Sequence, residues 1–242
     1  MARRSSRDVR HGPVISHVAG DGPPLLLVHG LGGSWRWWRR NVAALSAGYR
    51  VIGVDLPGFG ASHPDSRFVL EHLPDQLVEL MDTAGIERAH VIGHSMGGVV
   101  VSGLAAEHPT RVDRLVLVDA GFVALDPSWR RRVTGVLSTV PRSSLSLAPV
   151  LVQDVFRSGI RRMAGATSEV MRSDWDSKLA SIAAPTLVVW GQHDGICSPR
   201  IGRHIAATIP GARLVMIEGA AHNPMWERAS EFDREVLAFL GS

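Results

Sequence analysis

A chain of 242 residues, 45% hydrophobic and 20% charged, has the composition of an ordinary globular domain and the length for one α/β core with an insertion. No uninterrupted apolar run approaches the roughly 18 residues of a membrane span, since even 115–125 carries Asp119 in its middle. The formal net charge is only +3, with Lys178 the single lysine, and the single cysteine, Cys197, excludes an intrachain disulfide. A nucleic-acid partner is therefore not expected. A cytoplasmic location fits the cysteine usage.

In chain order, 1–11 carries Arg3, Arg4, Arg7 and Arg10 but is not followed by the apolar stretch of a secretory leader, and it reads as a solvated tail. A short strand is expected at 14–18 and a longer one at 25–29, then a helix near 40–46 and a strand at 50–54. A helix near 70–84 stops at Gly85, a strand follows at 89–93, and a helix over 96–107 stops before Pro109. Another strand is expected at 115–119. Between 120 and 184 the alternation breaks, with Pro141 and Pro149 interrupting apolar stretches, and the length favours a lid of short helices over a structureless loop. Strand 186–191, helix 199–208, strand 213–217 and helix 229–240 complete the chain. Several strands are continuous apolar runs, as in a parallel sheet with helices on both faces. The division that follows is a core of 1–120 and 185–242 with a cap of 121–184.

The strongest local signal is Gly93-His94-Ser95-Met96-Gly97, a GxSxG sequence between a predicted strand and a predicted helix. That turn lifts a serine hydroxyl above the sheet, and its small flanking residues let strand and helix approach. A serine needs a base, and imidazole titrates near neutrality. Of eleven histidines, His222 lies between the last predicted strand and the last predicted helix, at the same carboxyl edge of the sheet as Ser95. His17, His72, His90, His108 and His204 read as structural, and His94 as support for the turn. The imidazole in turn needs an acid. Asp194 and Asp119 both end strands on the correct edge. Asp194 is favoured because it gives the order serine, aspartate, histidine found with this motif, which leaves Asp119 to hydrogen-bond the start of the lid. Backbone N–H groups of Met96 and Leu31, the latter in His29-Gly30-Leu31-Gly32-Gly33, are the candidate oxyanion donors. The glycine-rich turn lacks GxGxxG and GxxxxGK, so a phosphate loop is not expected. No His or Cys spacing matches a metal-ligand set.

Together with Asp55-Leu56-Pro57-Gly58-Phe59-Gly60-Ala61-Ser62, Gly191-Gln192-His193-Asp194 and Ala221-His222, these segments resemble the α/β-hydrolase superfamily over nearly the whole chain outside the lid. The resemblance implies an eight-stranded, mostly parallel core with a helical cap inserted after the sixth strand, no cofactor, and a structural turn at 55–62. It implies a serine hydrolase that cleaves an ester, lactone or thioester of a small acyl substrate. Carbon–carbon bond hydrolases of aromatic ring cleavage share Ser95-Met96-Gly97-Gly98, but they usually carry Asn before the serine and Trp after the histidine, where this chain has His94 and Asn223. Cofactor-free perhydrolases use the same triad, and a non-catalytic receptor could keep the same fold.

Trp35, Trp37 and Trp38 follow the oxyanion loop and Trp129 opens the lid. Trp35, Trp129 and His94 are the candidates for substrate contact, against the alternative that the tryptophans anchor helix and lid to the core. Arg130, Arg131, Arg132, Arg157, Arg161 and Arg162 make the lid positive, which fits either a solvated face or selection of acidic substrates. Oligomeric state has no signature in the sequence.

Overall fold

The structure, a computed structural model, describes residues 7–11, 14–62, 68–122, 144–170 and 175–242. Trp129, Arg130, Arg131 and Arg132, singled out in the sequence, lie outside the described residues. Eight strands form one sheet in the order β1-β2-β4-β3-β5-β6-β7-β8. They are β1 (Arg7–His11), β2 (Val14–Ala19), β3 (Pro24–Val28), β4 (Arg50–Asp55), β5 (Ala89–His94), β6 (Val112–Val118), β7 (Thr186–Gly191) and β8 (Arg213–Ile217). β2 pairs antiparallel with both β1 and β4, and the other pairings are parallel.

Strands β3 and β7, with residues 91–93 of β5 and 115–118 of β6, read as continuous apolar runs because both faces are covered. The pleat sends alternate residues to opposite sides. Leu26, Val28, Leu115, Leu117, Val188 and Trp190 join one buried cluster, with α2 (Leu73–Thr83), α3 (Met96–Glu107) and α7 (Pro199–Thr208). Leu25, Leu27, Val116, Val118, Leu187 and Val189 join the other, with α1 (Val42–Leu45), α8 (Pro224–Glu227) and α9 (Ala229–Leu240). After β3 the chain goes to β4 on one side and then crosses to β5 on the other. The loops leaving β3 and β5 thus diverge at a topological switch point, where open α/β sheets form crevices.

Two expectations need correction. Part of the supposed solvated tail is β1, which runs antiparallel to β2 from Arg7↔Val18 to His11↔Val14. An edge strand is held through its backbone on one side and needs no apolar run, so it leaves no hydropathy signal. The helix expected near 40–46 shortens to α1, preceded by a 3-10 turn at Trp35–Trp38.

Between β6 and β7 lie α4 (Ala148–Ser158), α5 (Ile160–Val170) and α6 (Asp176–Ala180). Asp154 of α4 is fully buried. It accepts from Ser34 Oγ at 2.8 Å and Trp37 Nε1 at 3.0 Å, and it pairs with Arg36. Arg162 of α5 donates to Gly58 O at 2.7 Å, and Met163 packs over Gly32. Both helices are thereby tied to the segment after β3. Arg157 and Arg161 are exposed, so at these two positions the basic face is solvated.

Asp154→Ala would strand a buried indole N–H, a hydroxyl and a guanidinium, and should destabilise the fold by roughly 2–4 kcal/mol. A thermal melt of the variant that matched wild type would contradict this account. A second carboxyl has an opposite sign. Asp233 of α9 is buried and accepts from Asn41 Nδ2 at 2.8 Å, yet burial outweighs that bond and raises its pKa from 3.8 to about 6. Below 3.8 folded and unfolded chains are both protonated, whereas between 3.8 and about 6 only the unfolded chain ionises freely. Asp233 therefore subtracts stability as pH rises through that window, by at most about 3 kcal/mol and by less after solvent screening. Asp233→Asn keeps an acceptor for Asn41, and its advantage over wild type in urea titrations should be absent near pH 4, grow to pH 6 and then level off.

Candidate active site

The site begins where β5 ends. Ser95 sits between β5 and α3 with φ 52° and ψ −121°, outside the ordinary regions for a side-chain-bearing residue. The surroundings enforce this: Ser95 N donates to Val118 O at 2.9 Å, and Gly121 N donates to Ser95 O at 2.8 Å. Gly97 is needed because a Cβ there would lie 2.5 Å from Val28 O and His29 O. Gly30 is needed for a related reason, since a Cβ would lie 2.9 Å from both Ser95 Cβ and His94 Nδ1. Close backbone approach thus sets the loop after β3 against the serine.

That loop is held from beneath by His29, whose Nδ1–H donates to Gly30 O at 2.7 Å while Nε2 accepts from Leu56 N at 3.1 Å. The two bonds require a neutral ring, and burial lowers its pKa in agreement. Asp55 accepts from Trp35 N and Ala61 N, each at 2.7 Å, so the 55–62 segment does structural work here. Leu31 follows Gly30, and Met96 follows Ser95. Among the described residues neither of their N–H groups donates to a carbonyl.

His222 lies in the loop between β8 and α8. Its Nε2 is 3.2 Å from Ser95 Oγ, and its Nδ1 is 2.8 Å from Asp194 Oδ2. Asp194, in the loop after β7, is buried, and its Oδ1 accepts from Ile196 N at 2.8 Å and Cys197 N at 3.0 Å. The structure therefore brings Ser95, His222 and Asp194 together in one hydrogen-bonded line. Asp119 is not in that line. Its Oδ1 accepts from Gly191 N at 3.0 Å, at the end of β7 rather than at the start of the lid as expected.

Several neighbours were missed or misjudged. His94 cannot touch substrate as expected, because it is fully buried and its Nε2–H donates to His222 O at 2.7 Å. Burial and then the adjacent His222 ring push its pKa well down, so it is a neutral ring wedged beneath His222. Trp35 is also misassigned: its ring is taken up by stacking on His17 of β2, with centroids 3.6 Å apart. Trp37 and Trp38 fit the anchoring alternative, the first through Asp154 and the second by complete burial. Glu227 of α8 accepts from Ala221 N at 2.5 Å and holds the His222 loop. Burial raises its pKa, and only the carboxyl four residues past Asn223 signals it in the sequence.

Asp194, Cys197 and His222 place donor atoms within 4.8 Å of one another, a set that could hold a metal ion. Ligand spacing within one segment did not reveal it because two loops supply the donors. Asp194 and His222 already satisfy each other, which weakens the case for a resident ion.

The family described as alpha/beta hydrolase fold matches over residues 23–148 and 148–229. The chain belongs to this family. A curated relative, 2-hydroxy-6-oxononadienedioate/2-hydroxy-6-oxononatrienedioate hydrolase of Cupriavidus pinatubonensis, is 30% identical over 90% of this chain and 86% of its own length. Among solved structures, a hydrolase from Pseudomonas aeruginosa PA01 superposes with a TM-score of 0.81 at 29% identity, covering 98% of both chains. The enol-lactonase from Burkholderia xenovorans LB400 gives 0.78 at 28% identity, covering 98% of this chain and all of that one. As an α/β hydrolase, this protein is an enzyme of hydrolytic chemistry. No helix among its described residues is long and apolar enough to cross a membrane.

The wedge beneath His222 can be tested in this hydrolase. His94→Ala would leave His222 O unsatisfied and open a cavity against Trp37 and Trp38, lowering stability by about 2–4 kcal/mol. Equal denaturant midpoints for variant and wild type would show that the ring carries no such role.

Proposed function

We propose that this hydrolase cleaves the acyl C–O bond of small carboxylic esters and lactones through an acyl-enzyme on Ser95. The observation that supports it is the unbroken relay of Ser95 Oγ to His222 Nε2 at 3.2 Å and His222 Nδ1 to Asp194 Oδ2 at 2.8 Å. His222 takes the serine proton as Oγ bonds to the acyl carbon, and Asp194 accepts from Nδ1–H and stabilises the imidazolium. The carbonyl oxygen, now an oxyanion, takes hydrogen bonds from the Leu31 and Met96 amides, each worth about 3–4 kcal/mol in comparable sites. As the C–O bond breaks, His222 returns its proton to the departing alkoxide. A water, deprotonated by the same imidazole, then releases the acid and restores Ser95. In this reading residues 121–184 act as a cap over a core of 1–120 and 185–242, with α4 and α5 bounding the substrate beside Gly32.

Likeness to an enol-lactonase at 28% identity over 98% of this chain favours the lactone within this class. A second reading is hydrolysis of a carbon–carbon bond, favoured by the 30% identity to the dienedioate hydrolase. Against it stand His94 and Asn223, where the carbon–carbon enzymes usually have Asn and Trp. In this fold His94 fills the space under His222.

A fluorophosphonate should label wild-type protein at Ser95 and not Ser95→Ala, and His222→Ala should lose about four to six orders of magnitude in turnover. Rates on p-nitrophenyl esters of increasing chain length, an enol-lactone and a 2-hydroxy-6-oxo dienoate separate the two readings. Highest kcat/KM on esters or the lactone is expected, and a preference for the dienoate would transfer the assignment to carbon–carbon cleavage. Wild-type protein with neither labelling nor turnover would sink both.

A further inference from the structure

Among the described residues the large apolar side chains that stand exposed all fall within 145–156: Leu145 is 89% exposed, Phe156 90%, Val152 68% and Val155 38%. On α4, Leu151, Val152, Val155 and Phe156 recur at helical spacing and form one stripe, while Val150, Asp154 and Ser158 make a different, buried face. The core explains only the second of these faces. Leu151, Val152, Val155 and Phe156, together with Arg161 of α5, line an open groove of about 910 Å³. Clustered apolar exposure rimmed by charge marks an interaction surface.

The charge beside the groove has one sign. Arg157 follows Phe156 and Arg161 lines the groove, and both are exposed with no ion pair or hydrogen bond among the described residues. Across 144–165 the one acidic residue is Asp154, which is buried and paired with Arg36. A second copy of the chain is a poor occupant: the four exposed side chains together offer on the order of 500 Å², short of the roughly 800 Å² per partner of a stable protein interface. An apolar groove open on one side suits hydrocarbon chains, and unopposed arginines at its edge suit anionic head groups. We propose that the exposed stripe of α4, with Arg157 and Arg161, is a docking surface for an anionic lipid membrane. Phe156 and Val152 enter the boundary between head groups and acyl chains, and the two arginines lie at head-group level. α4 has 11 residues, about half of what a span requires, so it lies on the membrane and does not cross it. Asp154, bonded to Ser34 and Trp37, fixes the helix that presents the stripe. Docking is separate from the acyl chemistry, since Ser95, His222 and Asp194 do not line the groove.

Co-sedimentation with vesicles tests this on the full chain. The protein should sediment with vesicles of equal parts phosphatidylglycerol and phosphatidylcholine, less so as salt is raised, and not with phosphatidylcholine alone. Phe156→Asp should bind about 10- to 100-fold more weakly, and the double variant Arg157→Gln, Arg161→Gln about 10- to 30-fold. All three positions are exposed, so circular dichroism should be unchanged. Location has its own readout. Cys197 is buried, so a polarity-sensitive fluorophore can be attached to Phe156→Cys, and its emission should shift to the blue on anionic vesicles. The same fluorophore on Glu87→Cys, an exposed position before β5 at the amino edge of the sheet, should not shift. The proposal falls if the vesicles retain no protein, if phosphatidylcholine alone retains as much, if the folded variants bind like wild type, or if the fluorophore at 156 is silent. A dimer in sedimentation velocity that Phe156→Asp dissociates would give the stripe to a second copy and overturn it equally. None of these measurements reads turnover, so failure of the ester reading and failure of docking are told apart.

Discussion

The site depends on a backbone approach too close for side chains. At the switch point between β3 and β5, Gly97 lies on the terminal carbonyls of β3 and Gly30 lies on Ser95. Because neither glycine has room for a Cβ, the loop after β3 lies directly against the serine turn. Rigid elements hold a reacting group and its stabilising donors better than mobile loops, and preorganised amides need no reorganisation as charge develops. The strained Ser95 backbone is the local cost of this arrangement, offset by the bonds to Val118 O and from Gly121 N and by the sheet around it.

A second constraint is electrostatic. Behind Ser95 the core contains His29, His94, Asp119, Asp194, Glu227 and His222, several of them fully buried. Isolated charges at such depth would be prohibitive. The structure avoids them by neutralising some groups and pairing others: burial keeps His29 and His94 neutral, and it raises the pKa values of Asp119 and Glu227. Asp194 differs in the number of N–H groups aimed at it. The polarity of the proposed relay follows from this allocation of donors more than from the identities of the three residues.

The fold was largely legible because β3, β7 and the inner parts of β5 and β6 are buried on both faces and so carry apolar runs that need no partner information to detect. The serine, imidazole and carboxylate were legible because each ends a recognisable strand at one edge of the sheet. What remained hidden depends on contacts between distant segments. β1 is defined by its backbone pairing with β2, so its side chains announce nothing. Trp35 lies four residues from Leu31 yet turns away to stack on His17, a direction set by the 3-10 turn and by Asp55. Adjacency to Ser95 suggests substrate contact for His94, but consecutive residues at a strand end point to opposite faces. Asp119 and Glu227 have sequence neighbours that say nothing of the distant Gly191 amide and the Ala221 loop amide they accept from.

The same division between local and distant information bears on substrate choice. The core elements that make the proposed relay would serve ester, lactone or carbon–carbon cleavage alike, since each begins with the same serine, base and oxyanion donors. Discrimination must then come from what stands opposite them. Met163 and Ser158 reach Gly32 from α5 and α4, and buried Asp154 ties α4 to Ser34, Arg36 and Trp37 immediately after the proposed oxyanion loop. A shift of α4 would therefore be felt at the Leu31 amide within a few residues, without passing through the sheet. Changes in the insertion can in this way alter both the shape offered to a substrate and the placement of a donor, which gives related chains with a common core a direct route to different bonds.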